Sequence, residues 1–204
     1  MPYLEHHPID FFPRVLLQDE IAAPRLALHR IYDEELNMVD ARKHMEKWLS
    51  CVFYDNYAPG RKFILVLMNF QDVLLKLLEA AHLLTLEDPV LRKDIPITVI
   101  KTTGLPLPSL YCGAAYKHYT AWDYFPRYLT RKEFTDPYRV FDKLARYKRL
   151  PEWRDLVQNL FSSAVSGKRI YTCCDDQNLY LTGRLLLKLI EAAHLVYVRE
   201  SGPV

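Results

Sequence analysis

The segment LLKLLEAAHLL at residues 74–84 returns almost letter for letter as LLKLIEAAHLV at 186–196. A second pair, DFFPRVL at 10–16 and DYFPRYL at 123–129, keeps nearly the same spacing from it. Between these anchors Glu20 matches Glu133, Pro24 matches Pro137, Arg42 matches Arg154 and Ser50 matches Ser162. Self-similarity sustained in this way is the mark of a tandem duplication, and it restricts the fold to one that builds the same supersecondary unit twice. The organisation expected is a first repeat over 1–90, a second over 123–204, and a connector over 91–122 packed across both.

Each repeat reads as three helices, so the expected fold class is all-α, a pseudo-twofold helical bundle. Proline suits the first turn of a helix and Asp136 is a good N-cap before Pro137, which places the first helices at 24–36 and 137–147. The second helices are VDARKHMEKWLSCVFYD, with Asp40 as cap, and LPEWRDLVQNLFSSAV, opened by Pro151. The third are the matched segments, extended backward through ILVLMNFQD and NLYLTGR. In LLKLLEAAHLL only Lys76, Glu79 and His82 are polar, and they fall on one stripe, so this helix is buried on most sides. The steps Ala80–Ala81 and Ala192–Ala193 permit close approach, which suggests that the two third helices meet. The connector is rich in proline, and ITVIKTT at 97–103 is its one expected strand.

Half of the 204 residues are hydrophobic, enough for a large core. A net charge of +2 gives no global reason to wrap a nucleic-acid backbone or an anionic membrane. The start of the chain lacks a basic stretch followed by an apolar run, and no run reaches the roughly 20 residues of a spanning helix, so a soluble, cytoplasmic protein is expected. Cys51, Cys112, Cys173 and Cys174 have no CxxC spacing and read as reduced, structural thiols.

The sharpest chemical signal is a pair of ExxH motifs, Glu79–His82 and Glu191–His194. At i and i+3 a carboxylate and an imidazole point to one side of a helix, as in ferritin-like di-iron bundles, where two further glutamates complete the site. Those two are missing: Glu46 has its counterpart near Gln158, Asp40 and Glu152 sit in first helical turns, and Glu20 and Glu133 look like parts of a turn. Lys76 and Lys188, one turn ahead, place positive charge beside any dication. A Lys–Glu pair with a neighbouring histidine is the preferred reading.

Arg139, Lys143 and Arg146 recur at i, i+4 and i+7, with Arg149 beyond them, and form a basic stripe that the first repeat lacks. The glycines in PGRK at 59–62 and SGKR at 166–169 do not fit a phosphate loop and suit helix ends. Cys173–Cys174 carries no signature of an activated nucleophile, and His6, His7 and His118 lack metal-ligand spacing. The function expected is a non-enzymatic protein-interaction or regulatory module that binds another protein, without cofactor or membrane. One alternative is a di-metal carboxylate oxidoreductase using Glu79, His82, Glu191 and His194. The other is a weak binder of nucleic acid or an acidic partner through Arg139, Lys143, Arg146 and Arg149.

Overall fold

A computed structural model describes residues 11–53, 59–87, 108–112, 119–166 and 176–201. The described residues are all-α, with no strand among them. The helices are α1 (Gln18–Ala22), α2 (Pro24–Arg30), α3 (Met38–Phe53), α4 (Arg61–Leu86), α5 (Arg131–Thr135), α6 (Tyr138–Tyr147), α7 (Leu150–Ser166) and α8 (Asp176–Ser201). None is long and apolar enough to cross a membrane. The strand expected at 97–103 lies outside the described residues, as do His6, His7, His118, Cys173 and Cys174. Pro59, Gly60, Arg61 and Lys62 lead into α4, with Gly60 just ahead of its first turn rather than after a helix end. Of SGKR only Ser166 is described, as the last residue of α7.

Five of the expected helices stand where the apolar periods put them, the first, expected over 24–36, is α-helical only over Pro24–Arg30, and two short ones are added. Glu20 and Glu133, expected in turns, each sit in the first turn of a five-residue helix and accept from the N–H three residues back, Leu17 and Thr130, both at 2.8 Å. The Thr130 hydroxyl in turn accepts from the N–H of Glu133, which completes a capping box. Asp136 accepts from the Tyr138 N–H as expected of a cap. At α3 the cap is Asn37, whose Oδ1 accepts from Val39, and Asp40 lies in the first turn rather than at the cap. After α2 the chain widens into a π-helical turn over Ile31–Glu35, closed by the Leu36 N–H on the Ile31 carbonyl at 2.8 Å.

The most extensive packing crosses between the halves of the chain: α3 lies along α8, and α7 lies along α4. The helices α4 and α8 also touch each other, and Ala80, Ala81, Ala192 and Ala193 are all buried. One contiguous core results, with Trp48, Phe70, Leu74, Tyr138, Phe141 and Ile190 among its members. The Trp48 indole donates to the Leu160 carbonyl and Gln71 to Gln158, so polar groups inside this core are also matched across the halves. From the connector, Tyr111 and Cys112 are buried in that same core.

Candidate functional site

Both ExxH glutamates are buried, and both carboxylates are engaged by backbone and guanidinium donors. Glu79 on α4 accepts from three successive N–H groups, Arg14 and Val15 at 2.9 Å and Leu16 at 3.3 Å. Glu191 on α8 accepts from Arg127 and Tyr128, each at 2.8 Å. These donors belong to the two matched Phe-Pro-Arg segments. Proline holds the residue before it extended, Phe125 at φ −61°, ψ 127°, and the N–H groups that follow then converge on one anion.

An arginine from the opposite half completes each carboxylate. Arg42 on α3 donates to Glu191 at 3.1 Å and also to the carbonyls of Asp123 and Phe125. Arg154 on α7 donates to Glu79 through Nε at 3.0 Å and Nη2 at 2.5 Å, and to the Phe12 carbonyl at 2.6 Å. Each guanidinium therefore ties a carboxylate to the loop that the same carboxylate already holds. Burial pushes the Glu191 carboxyl up, and the Arg127 and Tyr128 N–H groups and Arg42 oppose that shift.

The lysines one turn before these glutamates pair elsewhere, which corrects the expected Lys–Glu contact. Lys76 reaches Glu35 at 2.6 Å, and Lys188 reaches Glu133 at 2.6 and 2.9 Å. Burial works to raise the Glu133 carboxyl, but Lys143, Lys188 and the Thr130 amide hold it down to about 2. On a helix the i and i+3 side chains are neighbours only if nothing stronger competes. Here Glu79 and Glu191 are taken by backbone N–H groups and a guanidinium, and each lysine turns to another carboxylate.

The two histidines have different surroundings. His82 is partly buried, and desolvation together with Arg154 lowers its imidazole. The space beside it, about 20 Å³, is lined by Leu144, Leu150 and Trp153 among others. His194 is 4% exposed and packed against the rings of Tyr32, Tyr124 and Tyr197, with centroids 5.1, 5.6 and 5.9 Å away. Burial, then the charge of Arg42, pushes its imidazole down to about 3, so it is neutral at physiological pH. Glu79 and His82, and likewise Glu191 and His194, share a helix face without sharing partners. Among the described residues no group of three or more His, Cys, Asp or Glu side chains is placed to hold a metal ion.

The basic stripe stands on and beside α6, interleaved with acids. Arg139 pairs with Asp136 at 3.2 Å, Lys143 with Glu133 at 2.6 Å and Arg149 with Glu152 at 3.5 Å. Arg139, Lys143 and Arg146, with Glu133 and Asp136, border a surface hollow of about 330 Å³, in which Lys132 is a further cation and Asp142 a further acid. Cys51 and Cys112 are free and buried, and burial pushes both thiols up, away from nucleophilic use.

Arg42 and Arg154 are the residues whose roles sequence reasoning missed. Their mutual match was visible, but their partners lie 149 and 75 positions away. Comparison with known protein families, with curated proteins and with solved structures finds no match.

Proposed function

We propose that this chain works without chemistry of its own, as a protein-interaction or regulatory module made of two fused three-helix repeats. The repeats span 1–90 and 123–204 about a pseudo-twofold axis, with 91–122 packed across them. The observation that carries this reading is the occupation of Glu79 and Glu191 by backbone N–H groups and opposing arginines. A carboxylate held in this way serves as a structural anion, and a dication would have to displace a buried guanidinium to reach it. The crossed packing of α3 with α8 and α4 with α7 supports the same view, since each half completes the other.

The surface suited to a protein partner lies on the outer face of the third helices. Leu65 and Met68 on α4 are 58% and 49% exposed, and Tyr180 and Leu181 on α8 are 57% and 47% exposed. Met68 and Tyr180 occupy matched positions. The stripe of Arg139, Lys143, Arg146 and Arg149 is the weaker candidate, because three of its four cations already face carboxylates within 4 Å.

Two measurements test the proposal. Elemental analysis of untagged protein should find no stoichiometric iron, manganese or zinc. Two metal ions per chain, lost in Glu79→Gln and Glu191→Gln, would make the di-metal oxidoreductase the better reading. In affinity capture, proteins retained by the native chain should be lost from the Leu65→Glu/Met68→Glu double variant and kept by Arg139→Ala/Arg146→Ala. The reverse pattern would move the partner surface to the basic stripe.

A further inference from the structure

A cavity of about 220 Å³ opens beside His194, walled by Tyr32, Met38, Cys112, Tyr124 and Tyr197 with Asp33 and Asn37. Four parts of the chain meet there: the π-helical turn running into α3, Cys112 just after the turn Pro108–Leu110, the short helical turn Ala121–Tyr124, and the last half of α8. The walls are held in place by their own hydrogen bonds. The Tyr32 hydroxyl donates to the Ile190 carbonyl at 2.8 Å, the Asn37 amide donates to the Tyr124 hydroxyl, and the Tyr197 hydroxyl donates to Asp33. His194 differs from them. Among the described residues neither of its ring nitrogens has a hydrogen-bond partner, although the side chain is 4% exposed and faces the cavity. Its nitrogens are therefore left to pair with whatever occupies the cavity.

The matched position in the other half sharpens the point. His82 has only about 20 Å³ beside it, lined by Leu150 and Trp153 among others, where His194 has aromatic walls and about 220 Å³. If the histidine were only a remnant of the repeated helix, both sites would be free to close. One has closed, and the other keeps a rigid, ring-lined space around an unpaired imidazole.

We propose that this cavity is a binding site for a small, uncharged, planar aromatic molecule carrying one hydroxyl or ring N–H, which bonds to His194 and lies among Tyr32, Tyr124 and Tyr197. Size sets the first limit, since the volume is below the roughly 300 Å³ at which drug-sized pockets begin. Ring walls favour a flat ligand, because offset and edge-on contacts between aromatic groups add to simple burial. Charge sets the second limit. The neutral imidazole offers one donor and one acceptor but no counter-charge to an anion, the Asp33 carboxylate on the wall disfavours an anion further, and the nearby Arg42 charge that disfavours a protonated His194 weighs against a bound cation. The inference concerns binding alone and stands apart from the partner surface on α4 and α8.

Phenol and indole are the probes, with cyclohexanol as the non-aromatic control. Isothermal titration calorimetry of the full chain should give one saturable site for phenol or indole, and cyclohexanol should bind at least tenfold more weakly. His194→Leu should weaken the aromatic probe tenfold or more, and His82→Leu should leave it unchanged. Because His194→Leu risks misfolding, the imidazole nitrogen resonances of His194 in the unaltered protein supply an independent readout. They should move on titration with the same midpoint. Absence of saturable binding by both probes, equal binding of cyclohexanol, or binding that leaves the His194 resonances in place would overturn the proposal.

Discussion

Arg42 and Glu191 form an ion pair at 3.1 Å across 149 positions of sequence, with side chains 2% and 0% exposed. Water cannot substitute for either partner at that depth. Truncating the arginine leaves a buried carboxylate with two backbone donors and no counter-charge. Arg42→Ala should therefore cost about 3–5 kcal/mol, read as a lower urea midpoint with an unchanged slope. Arg154→Ala should cost less, on the order of 1.5–3 kcal/mol, because its side chain is 12% exposed and Glu79 keeps three N–H donors. Equal losses in the two variants would contradict this account of the pair.

The alanine steps make a second prediction. Ala193 is fully buried on α8 and Ala81 is 3% exposed on α4, where the two helices touch other helices from the opposite half. Leucine at either site should overpack the contact and lower stability by about 1–3 kcal/mol, seen as a reduced melting temperature. An unchanged melting temperature in both variants would mean that these helices have room to spare.

A third prediction concerns Gly183 on α8. A Cβ placed there would lie 2.7 and 2.8 Å from the two terminal methyls of Leu49 on α3. Alanine gains about 1 kcal/mol of helix propensity over glycine, and the displacement of Leu49 offsets that gain. Gly183→Ala should be neutral or destabilising in the native background and stabilising by about 1 kcal/mol in a Leu49→Ala background. The non-additivity in a double-mutant cycle is the test.

Acid exposes a fourth. The imidazole of His194 is depressed in the folded chain to about 3, against an ordinary value near 6.5. The unfolded chain thus binds the proton first, so the stability this residue contributes is complete above pH 6.5 and drains as pH falls toward 3. Between pH 7 and pH 5 the native protein should lose about 2 kcal/mol more than His194→Leu, measured by chemical denaturation.

Glu133 acts in a lower window. Its carboxyl, held to about 2 when folded, contributes stability that is present above its unfolded value near 4.5 and lost as pH drops through 2. Glu133→Gln should flatten the fall in stability between pH 5 and pH 3 by an amount on the order of 2 kcal/mol. Parallel curves for variant and native protein would show that Lys143 and Lys188 do not hold the charge as described.

The elements that were legible in the sequence are those set by local periodicity and end signals. Pro24 and the cap at Asp136 located their helices, and the apolar run around LLKLLEAAHLL located a helix buried on most sides. The short helices α1 and α5 were not legible, because five residues carry too little periodicity to separate a helix from a turn. The partners of Glu79 and Glu191 were hidden for another reason. Lys76 is a helical neighbour by spacing, whereas Arg154 becomes a neighbour only after two halves have docked, and no pattern within one helix encodes that. The open space at His194 depends in the same way on Tyr32 and Tyr124 arriving from distant segments.

The exchange of arginines also bears on what the covalent connection is needed for. Glu79 and Arg154 stand in different halves, as do Glu191 and Arg42, and their separation in sequence plays no part in the bonds they make. The two halves are thus complementary as surfaces, like the two sides of a heterodimer that happen to be carried on one polypeptide. Expressed as two chains divided between α4 and α5, with Tyr111 and Cys112 kept on the second, they should find each other and restore the same fold.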